Sequence, residues 1–182
     1  IAPLLIRLYL APVLMQAGWN KLVAFDSTVE WFGNEDWGLG LPAPALMVVL
    51  AAATELVGGA LLIPGLLVRW LSIPLMCTML VAIFAVHWDN GWLAIADPGS
   101  WLANERVLEA ADRLDKGREL LQQYGHYDWL SGRGSFVILN NGIEFAATYF
   151  ILLLSLFFSG GGRYTSLDYW LRRRFMSDSE PL

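Results

Sequence analysis

The sequence predicts an all-α protein: a four-helix transmembrane bundle with an extramembrane helical insertion between helices 3 and 4 and an interfacial C-terminal helix. Four apolar stretches each approach the roughly 20 residues that a helix needs to cross about 30 Å of hydrocarbon. Of the 182 residues, 56% are hydrophobic and 16% are charged, where soluble domains carry about a quarter charged residues. The mean hydropathy is +0.47. Each stretch also holds one to three ionisable or amide side chains. A charge at bilayer depth costs about 2.5–3.5 kcal/mol even on the lenient insertion scale, so these side chains imply a polar interior among the spans.

Backbone groups in lipid must be paired within their own segment, which favours helices, and no period-2 alternation competes. The first span covers residues 1–18. Its first residue is Ile1 rather than Met, so the natural N-terminus is expected to have been processed, trimmed or left out, and nothing present resembles a cleavable signal peptide. The second span, residues 42–63, ends at the turn signal Pro64-Gly65. Residues 68–87 make the third and residues 136–159 the fourth, all within a single membrane domain of residues 1–182.

The connection at residues 89–135 is too long for a turn. Within it Val107, Leu108, Ala111, Leu114 and Leu121 recur at helical spacing, Glu109 and Arg113 stand at i,i+4, and Gly125 can end the helix. That pattern predicts an amphipathic helix capping the outer surface, with a solvated linker as the alternative. In the tail, residues 160–182, three glycines precede Leu167, Trp170, Leu171 and Phe175, which share one helical face beside arginines. An interfacial helix held by anionic lipid headgroups is the expected result.

Basic residues set the orientation. Arg69, Arg163 and Arg172-Arg173-Arg174 lie on one side, whereas the first connection sets Asp26, Glu30, Glu35 and Asp36 against Lys21. The positive-inside rule places both termini in the cytoplasm, so in a Gram-negative cell the insertion would face the periplasm. Seven of the nine tryptophans flank the proposed outer ends, while Trp70 and Trp170 fall near the inner face, as aromatic belts require. The net charge of −5 argues against a nucleic-acid partner. Cys77 is the only cysteine, so neither an internal disulfide nor a CxxC pair can form.

Helical rise places the polar groups by depth. Arg7 lies 14 residues before Lys21, or about 21 Å, and Glu55 lies 13 residues after Pro42, or about 20 Å. Arg7 and Glu55 are therefore expected to share a level and to pair. Glu144 falls about 12 Å below Phe136 by the same rise. Nearer the outer surface, Gln16, Asn20, Lys21, His87, Asn140 and Asn141 form a second polar layer. The candidate intramembrane site is Arg7, Lys21, Glu55, His87, Asn141 and Glu144.

Two readings of these groups stand side by side. Amides and ion pairs hold transmembrane helices together, and Lys21 and His87 can snorkel at an interface. Glu144 is the more telling residue, because Arg7 alone does not neutralise two carboxylates and a proton, ligand or cation must complete the balance. His87 and His126 stand 39 positions apart, so a two-histidine metal site would require the insertion to fold back, and no metal site is expected. Paired histidines for a haem are missing.

Arg7 with Pro12, Gly18 and Lys21, then Thr54-Glu55-Leu56-Val57-Gly58-Gly59, then His87 closing the third span, together resemble the DoxX family of four-helix bacterial membrane proteins. The stretch Leu139-Asn140-Asn141-Gly142-Ile143-Glu144-Phe145-Ala146-Ala147-Thr148-Tyr149, followed by Gly162-Arg163-Tyr164 and Leu167-Asp168-Tyr169-Trp170, looks closest to the HvfX-like branch. That branch is associated with maturation of copper-binding, ribosomally made peptides, the bufferins. The resemblance covers nearly the whole chain and implies an inner-membrane protein described as a membrane oxidoreductase or quinone-linked subunit, with no redox centre of its own. Relatives include the small subunit of thiosulfate:quinone oxidoreductase.

Two functions follow. One is a quinone-linked redox subunit or accessory of a membrane complex, in which Arg7, Lys21, His87, Glu55 and Glu144 supply hydrogen bonds and a proton route while a partner supplies electrons. The other is a non-enzymatic scaffold or partner subunit, for example in copper-binding peptide maturation. Expected partners are membrane lipids and other membrane or periplasmic protein subunits. The unexplained carboxylate favours the first.

Overall fold

The computed structural model describes residues 1–175. Those residues form α1 (Ala2–Val23), α2 (Phe25–Gly33), α3 (Pro44–Leu62), α4 (Val68–Val81), α5 (Glu105–Tyr124), α6 (Tyr127–Ser131), α7 (Glu144–Ser159) and α8 (Leu167–Phe175). A π-helical turn, Ala82–His87, and a 3-10 turn, Trp88–Asn90, continue α4. Among the described residues the only extended pairing is an isolated antiparallel bridge between Ile95 and Leu139. The chain divides into two compact units, Ile1–Val81 with Thr148–Leu182, and Ala82–Ala147.

In the first unit, α1 and α3 each open with a proline in the first turn, where a missing N–H breaks no helical bond. The buried face of α1 is Arg7, Leu10, Ala11, Leu14 and Gly18, a single stripe at three- and four-residue spacing. The matching stripe of α3 is Val48, Ala52, Glu55, Gly58, Gly59 and Leu62. Small residues on these stripes bring the backbones together. A Cβ on Gly18 would stand 2.8 Å from both Ala52 O and Leu56 N, so close approach of the two helices requires glycine there. Leu62 of α3, Val68, Leu75 and Met79 of α4, and Leu153 and Leu156 of α7 join Leu10, Ala11 and Leu14 in one apolar cluster.

Two helical segments among the described residues, Pro44–Leu62 and Val68–Asn90, are long and apolar enough to cross a membrane. Four such spans were expected. The first expected span is a helix of 22 residues, but Arg7, Gln16, Asn20 and Lys21 dilute its apolar character. The fourth is shorter than expected, because α7 starts at Glu144 rather than near residue 136 and has 16 residues. Only 33% and 22% of the most apolar stretches of these two segments are buried. An apolar segment that buries so little of itself within its own chain leaves its remaining apolar faces to another apolar medium.

In the second unit, residues 91–96 and 138–144 run side by side. Asn140 and Asn141 donate backbone N–H groups to Ala94 O, Gly142 to Leu93 O, Ile143 to Gly91 O and Glu144 to Trp92 O, all at 2.9–3.0 Å. The first backbone donor of α7, Glu144 N–H, is thereby satisfied from outside the helix. A Cβ on Gly142 would stand 2.5–2.6 Å from the carbonyl oxygens of Leu93, Gly91 and Trp92, so no larger residue fits that crossing. The amphipathic helix expected around residues 107–121 is α5, with Val107 and Ala110 buried and Arg113 donating to Glu109 at 3.0 Å. Asn104 caps its start by accepting from Val107 N–H at 3.1 Å, and the helix stops at Gly125. The expected C-terminal helix is α8; residues 176–182 of the tail lie outside the described residues.

Candidate functional site

The six candidate residues divide between the units. Arg7, Lys21 and Glu55 belong to the first; His87, Asn141 and Glu144 belong to the second.

The expected Arg7–Glu55 pair does not form. Glu55 instead accepts a hydrogen bond from Lys21 Nζ at 2.6 Å, with the Glu55 side chain 6% and the Lys21 side chain 25% exposed. Helix register is the reason. Gly18 lies against Ala52 and Leu56, and Gly59 against Ala11 and Met15, which sets Glu55 opposite Ala17, one turn below Lys21. The same register sets Arg7 opposite Gly65. Levelling the helices at Lys21 and Pro42 misjudged this, because close backbone contact, and not the ends of the connecting loop, aligns α1 with α3.

Arg7 is fully buried. Its Nη1 donates to Leu62 O at 2.8 Å and Ile63 O at 2.9 Å, and its Nη2 donates to Thr165 O at 2.8 Å. Leu62 and Ile63 end α3, where the last carbonyls lack helical partners and the helix dipole is negative. The guanidinium therefore caps α3 and ties it to the C-terminal segment. Its Nε is buried with no partner among the described residues. Gly65, at φ +71°, passes against the guanidinium where any Cβ would collide. Asp168 completes this end of the unit by accepting from Leu67 N–H at 2.7 Å and Val68 N–H at 2.9 Å, the opening donors of α4. Nothing local in the sequence signalled these contacts, since each joins residues a hundred or more positions apart, or an arginine to a carbonyl.

In the second unit His87 Nδ1 lies 2.8 Å from Asn141 O. A carbonyl oxygen only accepts, so Nδ1 carries the proton in this contact. Asn90 Nδ2 donates to the same oxygen at 3.0 Å. Asn141 takes part through its backbone, held at φ +58°. Asn140 is the buried member of the pair and is fully used: Nδ2 donates to Asn90 O and Leu93 O at 2.8 and 2.7 Å, and Oδ1 accepts from Arg106 Nε at 3.2 Å. These bonds make Asn140-Asn141-Gly142 a loop-fastening element.

Glu144 does not lie 12 Å into a helix; it is the first residue of α7. Its Oε2 accepts from Ala94 N–H at 2.9 Å, and it stands at the positive end of the helix dipole. Glu144→Gln keeps an acceptor for Ala94 and removes only the charge, so it is expected to cost about 0.3–1 kcal/mol. Glu144→Ala also leaves Ala94 N–H unpaired and is expected to cost about 1–3 kcal/mol more. Thermal melts of the two variants check this order, and a Gln variant as damaged as the Ala variant would contradict it.

No group of three His, Cys, Asp or Glu side chains spaced to hold a metal ion occurs among the described residues. The Lys21–Glu55 pair sets a partly accessible ammonium, a hydrogen-bond donor, in front of a covered carboxylate. Gln16, which donates to Asn20 Oδ1 at 2.7 Å, adds amide groups on the same helix.

An all-helical chain with apolar helices that bury little of their surface, and an ion pair held between two of them, has the character of a helical membrane protein. The DoxX family model matches residues 2–88 of the chain, a stretch that contains Arg7, Lys21, Glu55 and His87 and ends before Asn141 and Glu144. No curated protein and no solved structure matches it.

Proposed function

We propose that the protein is a multi-pass DoxX-like protein of the bacterial inner membrane, with four spans and both termini cytoplasmic, acting as a quinone-linked redox subunit or accessory of a larger membrane complex. The Lys21–Glu55 pair carries this reading. It is the ion pair set between two apolar helices, and its ammonium is accessible while its carboxylate is covered. Lys21 would hold a quinone carbonyl oxygen by a hydrogen bond, and Glu55 would hold or release a proton beside it. A bound quinone supplies two-electron, two-proton redox chemistry, with the electrons coming from a partner subunit. As further spans, α1 would reach about 33 Å and α7 about 24 Å at helical rise, the latter short enough to require local bilayer thinning or flanking residues.

The test is the quinone content of protein purified in mild detergent, native chain against Lys21→Met/Glu55→Leu. Quinone retained by the native chain and lost from the double variant at equal folded yield is the expected result. Equal retention in both, or none in the native chain, would overturn it.

A second reading has its own observation. Arg7 and Glu144, two of the charges that suggested a ligand site, each bind backbone groups and fasten the fold. Polar groups used in that way suit a non-enzymatic scaffold or partner subunit, such as one serving copper-binding peptide maturation in the HvfX-like branch. A polypeptide that copurifies with a quinone-free native chain would support it.

A further inference from the structure

The end of α7 runs into Gly160-Gly161-Gly162, and this loop, the start of α4 and the first turns of α8 enclose an open groove of about 400 Å³. All of it lies in the first unit. Three arginines line the groove, Arg69, Arg163 and Arg172, against one carboxylate, Asp168. That carboxylate is occupied, since both its oxygens accept backbone N–H groups of Leu67 and Val68. Among the described residues the groove therefore carries an excess of positive charge.

Two of the arginines are held in place. Arg69 Nη2 donates to Phe158 O at 3.0 Å, which uses one of the five N–H donors of the guanidinium. Arg163 stacks over the Tyr164 ring with its Cζ 5.1 Å from the centroid. The neighbouring Tyr169 side chain holds the guanidinium above its ordinary pKa, and the guanidinium in turn holds the phenol below its own. Three glycines in a row keep side chains out of the floor. Leu67 and Trp70, also in the lining, are 49% and 74% exposed and give the same groove an apolar edge.

A cationic groove with an apolar edge matches an amphiphile that carries a phosphate. Guanidinium groups bind phosphate oxygens by charge-assisted, often bidentate, hydrogen bonds, and basic residues at the cytoplasmic face favour anionic over zwitterionic lipid. We propose that this groove is a binding site for the phosphate headgroup of an anionic phospholipid, with Arg163 and Arg172 on the phosphate and Leu67 and Trp70 along the start of the acyl chains. The site rests on the membrane reading above, though not on the quinone.

The test uses the full chain in mild detergent, with lipid adducts counted by native mass spectrometry and melting followed with added phosphatidylglycerol, phosphatidylcholine or inorganic phosphate. Phosphatidylglycerol is expected to bind and to raise the melting temperature, with phosphatidylcholine and free phosphate far weaker. Arg163→Gln/Arg172→Gln is expected to weaken phosphatidylglycerol binding by about tenfold or more. Arg173→Gln/Arg174→Gln removes the same charge from outside the groove and is expected to change it little. Equal binding of the two lipids, equal stabilisation by inorganic phosphate, or equal losses in the two variants would each overturn the site. Extraction of the protein from native membranes by alkaline carbonate without detergent would sink the membrane reading itself, which separates that failure from failure of the groove.

Discussion

Arg7→Ala is expected to remove most of the folded protein. The substitution deletes three hydrogen bonds from a charged donor, each contributing about 1.5–3 kcal/mol, and leaves the carbonyls of Leu62, Ile63 and Thr165 without the partner they have now. Contributions of bonds that share one side chain do not add fully, so a loss of about 3 kcal/mol or more is expected. Arg7→Lys retains the charge, but a single ammonium on a flexible stem cannot reproduce a planar fork that serves carbonyls of two segments. It is expected to fall between the native chain and Arg7→Ala. Melting temperature and monodisperse yield in detergent measure both, and a native melt for Arg7→Ala would show that the guanidinium does not hold α3 to the C-terminal segment.

Breaking the Lys21–Glu55 pair is expected to cost nearly as much, and unequally from its two sides. Removing one partner of a buried pair costs about 3–5 kcal/mol, because the other charge stays behind uncompensated, whereas replacing both by apolar groups is often neutral or better. The Lys21 side chain is 25% exposed and Glu55 only 6%. An abandoned lysine can therefore lean outward, while an abandoned carboxylate cannot. Lys21→Met is expected to destabilise more than Glu55→Leu, with Lys21→Met/Glu55→Leu close to the native chain. Melts of the four proteins make a double-mutant cycle. Additive losses would mean that the two charges do not interact. A stable double variant that has lost its quinone would separate the role of the pair in function from its role in folding.

Several features were legible because they are local. The helical periodicity of Val107, Leu108, Ala111, Leu114 and Leu121, with Gly125 after them, describes α5 to within a few residues. Pro64-Gly65 marks the break between α3 and α4, and the apolar runs from Pro42 and Val68 mark the two candidate spans to within two residues at their starts. The start of α7 was not legible. Residues 136–143 are as apolar as the helix that follows, yet they stay outside it because the carbonyls of residues 91–94 take the N–H groups of residues 140–143.

By itself the sequence determined that this chain is helical, that α3, α4 and α7 are apolar over most of their surface, and which charged residues must find partners away from water. Composition and period suffice for those, since each depends on residues within a turn or two. Which partners they find was decided only in three dimensions. Close backbone approach at Gly18 and Gly59, where a Cβ would not fit, aligns α1 with α3 and hands Glu55 to Lys21 instead of Arg7. Arg7, His87 and Glu144 then settle on backbone groups, Arg7 and His87 on carbonyls and Glu144 on an amide. Every residue carries such groups, so no side-chain pattern reveals which of them a fold will leave unpaired beside a buried charge.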